Sequence, residues 1–195
     1  MAVTEERVGA VADAISRGFI DNEIWAWMVP CERRLARLLP RHYRTMIRHV
    51  YMPLGTAWTS PDAAGGALWF PPGKLGRTPL QQARELLSLM PWVGVRGMRR
   101  GIAFEELQSR HHPQEPHWYL QTLSIEPAKQ RSGYGGALMH PALERADAEG
   151  MPCYLETQRE ANVPYYRRFG FELSDKVSIA DSPPLWLMWR AARSG

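Results

Sequence analysis

Apolar residues return every three or four positions through residues 5–19, where Val8, Val11, Ile15 and Phe19 would share one side of a helix. The chain is therefore expected to start almost directly with a helix. Residues 21–30 follow as a loop dense in aromatics, and residues 31–39 and 41–51 read as a helical region broken near Pro40. Two short apolar runs, around residues 55–60 and 66–70, flank a Pro-Asp-Ala-Ala-Gly turn and read as an antiparallel pair. Thr78-Pro79 opens a helix that Pro91 is expected to close, and a second helix covers residues 98–110.

The second half changes period. Residues 117–125 are rich in β-branched and aromatic residues and read as a strand, residues 136–149 as a helix, and residues 152–158 as another strand. A strand, helix and strand of these lengths form a βαβ unit with parallel strands. Residues 162–169 make a short helix ended by Gly170, and residues 171–179 and 184–191 a terminal strand pair. The expected fold class is mixed α/β, one domain over residues 1–195.

Charge and composition narrow the partners. The net charge is +4, which admits an anionic partner. Arg33, Arg37, Arg41, Arg44 and Arg48 fall along one helical face, with Leu35, Leu38, Leu39, Met46, Ile47 and Val50 opposite. Neither an RNA-stacking signature nor a helix-turn-helix pattern accompanies them, so the stripe reads as a solvated face and no nucleic acid is expected. No run approaches 18 apolar residues, and the acidic start does not resemble a leader, so an unprocessed cytoplasmic protein with no membrane partner is expected. Cys31 and Cys153 are too few for a disulfide framework, and no metal is expected.

The chemistry concentrates at residues 123–136, where a strand passes through the turn Gln130-Arg131-Ser132-Gly133-Tyr134-Gly135-Gly136 into a helix. Glycines let backbone approach an anion, and first-turn N–H groups have no helical partner. A Walker loop would need Gly-Lys-Ser/Thr, but Ala137 and Leu138 follow Gly136. A dinucleotide turn would need a small residue where Leu138 stands. Alone, the Q-x-x-G-x-G pattern also fits a tight turn with no ligand.

Together with the strand Cys-Tyr-Leu-Glu-Thr at 153–157 and Asn162-Val-Pro-Tyr-Tyr166-Arg-Arg-Phe-Gly170-Phe171, the turn resembles the GNAT superfamily of N-acetyltransferases. The likeness is best over residues 117–171, and strongest to the branch that includes puromycin N-acetyltransferase. It implies a GNAT fold, a twisted mixed central sheet flanked by helices on both faces, with a splayed parallel strand pair binding acetyl-CoA. Residues 1–3 hardly suffice for the family's usual first strand, and Pro141 should bend the cofactor helix.

The resemblance further implies that the pantetheine arm pairs with Leu123, Ser124 and Ile125, that Gln130 to Gly136 hold the pyrophosphate, and that Asn162 contacts the cofactor. Asn162 also suits an ordinary helix cap. Tyr166 matches the family's proton donor. A neutral phenol, with pKa about 10, can protonate a thiolate whose conjugate acid lies at about 8.5. Tyr165 is the rival, about 100° away on a helix. Glu156, His111, His112 and His117 are candidate bases, and water could serve instead. Asp21, Trp25, Trp27 and Glu156 are the candidate acceptor-binding residues. The expected reaction is direct acetyl transfer to the primary amine of a small molecule by a monomer or homodimer. The alternatives are a protein or peptide N-acetyltransferase, or an acyl-CoA-binding regulatory module without turnover.

Overall fold

A computed structural model of the chain describes residues 1–76 and 78–193. The helices are α1 (Val8–Gly18), α2 (Glu23–Met28), α3 (Glu32–Met46), the single turn α4 (Met52–Leu54), α5 (Pro79–His111), α6 (Tyr134–Ala148) and α7 (Val163–Arg167). The strands are β1 (Ala57–Thr59), β2 (Gly65–Phe70), β3 (Trp118–Ile125), β4 (Cys153–Thr157), β5 (Glu172–Val177) and β6 (Leu185–Arg190). They form one sheet in the order β1-β2-β3-β4-β6-β5. The β3–β4 pair is parallel and its neighbours are antiparallel.

Alternation along the strands builds two cores, because successive side chains leave opposite faces of a sheet. Leu68, Phe70, Tyr119, Tyr154, Leu185 and Leu187 point into a core shared with α1, α2, α3 and α5. Ala67, Trp69, Trp118, Leu120, Leu155, Trp186 and Met188 point into another, closed by α6 and by Val163 and Tyr166 of α7. Trp58 and Trp69 are therefore core residues.

Several expectations need correction. Pro91 does not close the helix that starts at Pro79: a capping box between Thr78 and Gln81 opens α5, and the break comes at Gly94, with φ 68° and ψ 172°. A proline forfeits one backbone bond, but a left-handed residue reverses the helical path, so Gly94 makes the kink. α3 continues across Pro40 before a π-helical turn at Ile47–Tyr51. The aromatic loop contains α2, whose cap Asn22 accepts hydrogen bonds from Ile24 N and Trp25 N, both at 3.1 Å.

At the N-terminus a single antiparallel bridge, Ala2 to Trp58, stands where a first strand would lie. Backbone bonds from Val3 N to Ala57 O and from Thr59 N to Met1 O, both 2.9 Å, cover the β1 edge there. The arginine stripe is a solvated, ion-paired face. Arg44 meets Asp13 at 2.7 Å, Arg48 meets Glu5 at 2.5 Å, and Arg41 lies over Trp92.

Candidate active site

The β3–β4 ladder has three registered pairs, ending at Leu120 and Leu155. Beyond them β3 stays with β2 as far as Ile125, while β4 follows β6 through Glu156 and Thr157. The two strands thus diverge as a V, leaving the inner edge of β3 over residues 121–125 without a strand partner. One cavity of about 1640 Å³ passes through this opening. Tyr43, Met46 and Phe104 line it on one face of the sheet, and Gly135, Tyr166 and Phe169 on the other.

The α1 helix fixes one arm of the V. Ser124 Oγ donates to Ile15 O at 3.0 Å, and a Cβ at Gly18 would stand 2.7 Å from Ile125 O, so only glycine lets the helix end lie on β3. On the other arm Arg159 donates to Asp21 O at 2.8 Å, and Asn22 Nδ2 donates to Gln158 Oε1 at 3.2 Å.

The glycine turn lies at the mouth of the V. Gly133 caps α6 at φ 84°, and Arg131 is also left-handed at φ 60°. Gln130 Nε2 donates to Ile125 O at 3.0 Å, tying the turn to the strand end. Asp62 anchors it from the β1–β2 turn, accepting from Lys129 Nζ at 2.7 Å and from Tyr134 Oη at 2.9 Å. The bonds from Lys129, from Ser60 and from Tyr134, in that order, hold its carboxyl well below the usual range.

Leu123, Ser124, Ile125, Gln130, Arg131, Gly133, Gly135, Gly136 and Asn162 line the cavity; Ser132 and Tyr134 do not. Ser132 Oγ turns back to Gln130 O at 3.4 Å. Asn162 caps no N–H with its side chain; its amide donates to Thr157 Oγ1 at 3.0 Å.

Tyr165 and Tyr166 both line the cavity, with their rings 76° apart. The Tyr165 hydroxyl is buried against Gly135 and has no hydrogen-bond partner among the described residues. Arg168 lies over its ring at 4.9 Å. Tyr166 is buried edge-on to Phe171, and burial pushes its phenol well above 10, so it stays protonated at neutral pH.

Of the residues expected to meet the acceptor, Asp21, Trp25 and Glu156 line the cavity, whereas Trp27 does not. Trp27 packs under the Arg100 guanidinium at 4.8 Å, and Arg100 also pairs with Asp181 at 2.7 Å. Asp21 pairs with Arg159 at 3.1 Å. Local patterning carried no signal for Gln108, Tyr119 and Tyr154, which all donate to Glu156. Neither Cys31 nor Cys153 lines the cavity.

A parallel strand pair that splays, with a glycine-capped helix at its mouth, has a counterpart among known proteins. Residues 93–171 match the model of the Acetyltransferase (GNAT) family. Over its full length the chain superposes on a protein described as histone acetyltransferase HPA2 and related acetyltransferase, from Corynebacterium glutamicum. That match has TM-score 0.71 and 19% identity, covering 100% of this chain and 96% of the other. The fold is that of the GNAT acetyltransferases. Arylalkylamine N-acetyltransferase 2 from Aedes aegypti shares this GNAT fold at TM-score 0.61 and 14% identity, covering 98% and 97% of the two chains. An uncharacterized N-acetyltransferase of Schizosaccharomyces pombe is 33% identical over 76 residues. That match spans 37% of this chain and 31% of the relative's length.

Proposed function

We propose that the protein is an acetyl-CoA-dependent N-acetyltransferase that moves acetyl directly to the primary amine of a small molecule. The observation that carries this reading is a cavity running through the V, with a glycine-capped helix end on one face and an apolar, carboxylate-bearing chamber on the other. The residues suit the cofactor. The free edge of β3 offers N–H and C=O groups to an amide-bearing arm, and the first turn of α6 offers N–H groups to a pyrophosphate. Each such N–H to a charged oxygen contributes roughly 1.5 to 3 kcal/mol.

When bound, acetyl-CoA supplies an activated acetyl group and a thiol leaving group. Leu123, Ser124 and Ile125 would hold the arm. Gln130, Arg131, Gly133, Gly135 and Gly136 would hold the phosphates, with Asn162 alongside. Tyr166 Oη keeps its proton available for a departing sulfur. With both cysteines off the cavity, no thiol stands ready to form a covalent intermediate, which favours direct transfer.

The acceptor reading is an amine with an apolar or aromatic body. Trp25, Tyr43 and Phe104 form a wall that buries ligand surface, and Asp21 and Glu156 attract an ammonium. The chamber lies between α2, α3 and α5, and its apolar and aromatic lining suits a small molecule with an apolar body. Kinship with the puromycin-acetylating branch, a cytoplasmic setting and one domain over residues 1–195 belong to the same reading. The test compares kcat/KM for aromatic amines, aminonucleosides included, with that for peptides bearing free N-termini or lysines. A clear preference for peptides would promote the protein-acetylating alternative.

A further inference from the structure

Four side chains compete on sequence grounds as the proton acceptor, and their positions separate them. His112 and His117 bond to each other, Nε2 to Nε2 at 3.0 Å, and neither lines the cavity. His111 lines a separate pocket of about 480 Å³. Glu156 lines the cavity itself, one residue past the point where β3 and β4 part.

The Glu156 carboxylate is held from three elements. Gln108 of α5 and Tyr119 of β3, the latter at 3.2 Å, both donate to Oε2. Tyr154 of β4 donates to Oε1 at 3.0 Å. Three donors from separate elements leave the carboxylate little freedom to turn. Oε1 receives the Tyr154 bond alone, so it keeps acceptor capacity for a further hydrogen.

We propose that Glu156 is the general base that takes a proton from the acceptor's ammonium, and that Tyr119, Tyr154 and Gln108 are its positioning residues. The proposal rests on the N-acetyltransferase reading and extends it to the amine. The proton leaves the ammonium nitrogen for Glu156 Oε1, and the freed nitrogen lone pair forms the new bond to the acetyl carbon. The carbon–sulfur bond breaks, and the sulfur takes the Tyr166 proton. The nitrogen's second surplus proton returns Tyr166 to its neutral form, and the proton on Glu156 passes to solvent. One proton is released per turnover, and nothing is oxidised or reduced.

Burial raises both phenols, Tyr119 and Tyr154, so they remain donors while the carboxylate cycles. Burial also raises Glu156 itself, against the three donors and the charge of nearby His111, which oppose the shift, and this strengthens it as a base.

The experiment pairs two acceptors at pH 7, an alkylamine that is protonated and an arylamine that is already neutral. Glu156→Gln should lower kcat/KM for the alkylamine roughly 100- to 10,000-fold. The arylamine should lose less than about 10-fold, since it has no ammonium proton to give up. Calorimetric affinity for acetyl-CoA should be unchanged. Tyr154→Phe, which leaves Gln108 and Tyr119 in place, should show the same split at roughly 10-fold on kcat. Equal losses on both amines, or wild-type rates on both, overturn the assignment while leaving the acetyltransferase reading intact. A wild-type protein that acetylates no amine overturns both.

Discussion

A Cβ at Gly135 would stand 2.5 Å from the Tyr165 hydroxyl, so the first turn of α6 and the tyrosine pair of α7 are packed as one unit. The glycine therefore serves two ends, open backbone for an anion and room for Tyr165. Gly135→Glu should abolish measurable acetyl-CoA binding, and Gly135→Ala should weaken it by displacing Tyr165. Gly136→Ala, whose Cβ would meet Phe169 at an ordinary 3.5 Å, should lose less affinity than Gly135→Ala. Calorimetry on the three folded variants checks the order; equal affinity in all three would remove the turn from the cofactor site.

The same packing separates the roles of the two tyrosines. With Tyr165 held over Gly135, Tyr166 is the phenol assigned to chemistry. Tyr166→Phe should lower kcat roughly 10- to 1,000-fold with acetyl-CoA affinity little changed. Tyr165→Phe should leave kcat near wild type. Single-turnover rates for both variants decide between them, and the reverse pattern would make Tyr165 the donor.

Trp25 and Trp27 are two residues apart, yet one lines the cavity and the other lies under Arg100. Trp25→Ala should raise the acceptor KM roughly 10-fold, the order of an aromatic contact worth about 1.5 kcal/mol. Trp27→Ala should leave that KM unchanged and lower the melting temperature. Steady-state kinetics with calorimetric melting resolves the two effects.

Burial lowers the His112 imidazole to about 4, and His117 is lowered too. A histidine in an unfolded chain titrates near 6.5, so the unfolded state binds more protons between these values. Stability should be full above about pH 6.5 and fall as the pH drops toward 4. His112→Phe should shrink that slope in urea denaturation series at several pH values. A slope unchanged by the substitution would assign acid sensitivity elsewhere.

Much of this arrangement was legible locally. Thr78 and Gln81 stand three apart and form the capping box their types imply, and the turn at 130–136 opens a helix as its glycines require. What could not be read depends on distant partners. Nothing near Gly94 says that it, rather than Pro91, breaks α5, because proline leaves the helical angles intact and glycine can abandon them. The insertion of β6 between β4 and β5 follows from pairing across the sheet. Glu156 is readable as a strand-end carboxylate, but its bond to Gln108 joins residues 48 apart. Trp27 looks like Trp25 until Arg100, 73 positions later, covers it.

Direct transfer across the V requires donor and amine to be bound together, which initial-rate kinetics of thiol release test most directly. With acetyl-CoA and an aromatic amine varied against each other, double-reciprocal lines should converge, and release should depend on the amine. Parallel lines, the signature of a covalent acetyl-enzyme, or thiol release indifferent to the amine would contradict the account.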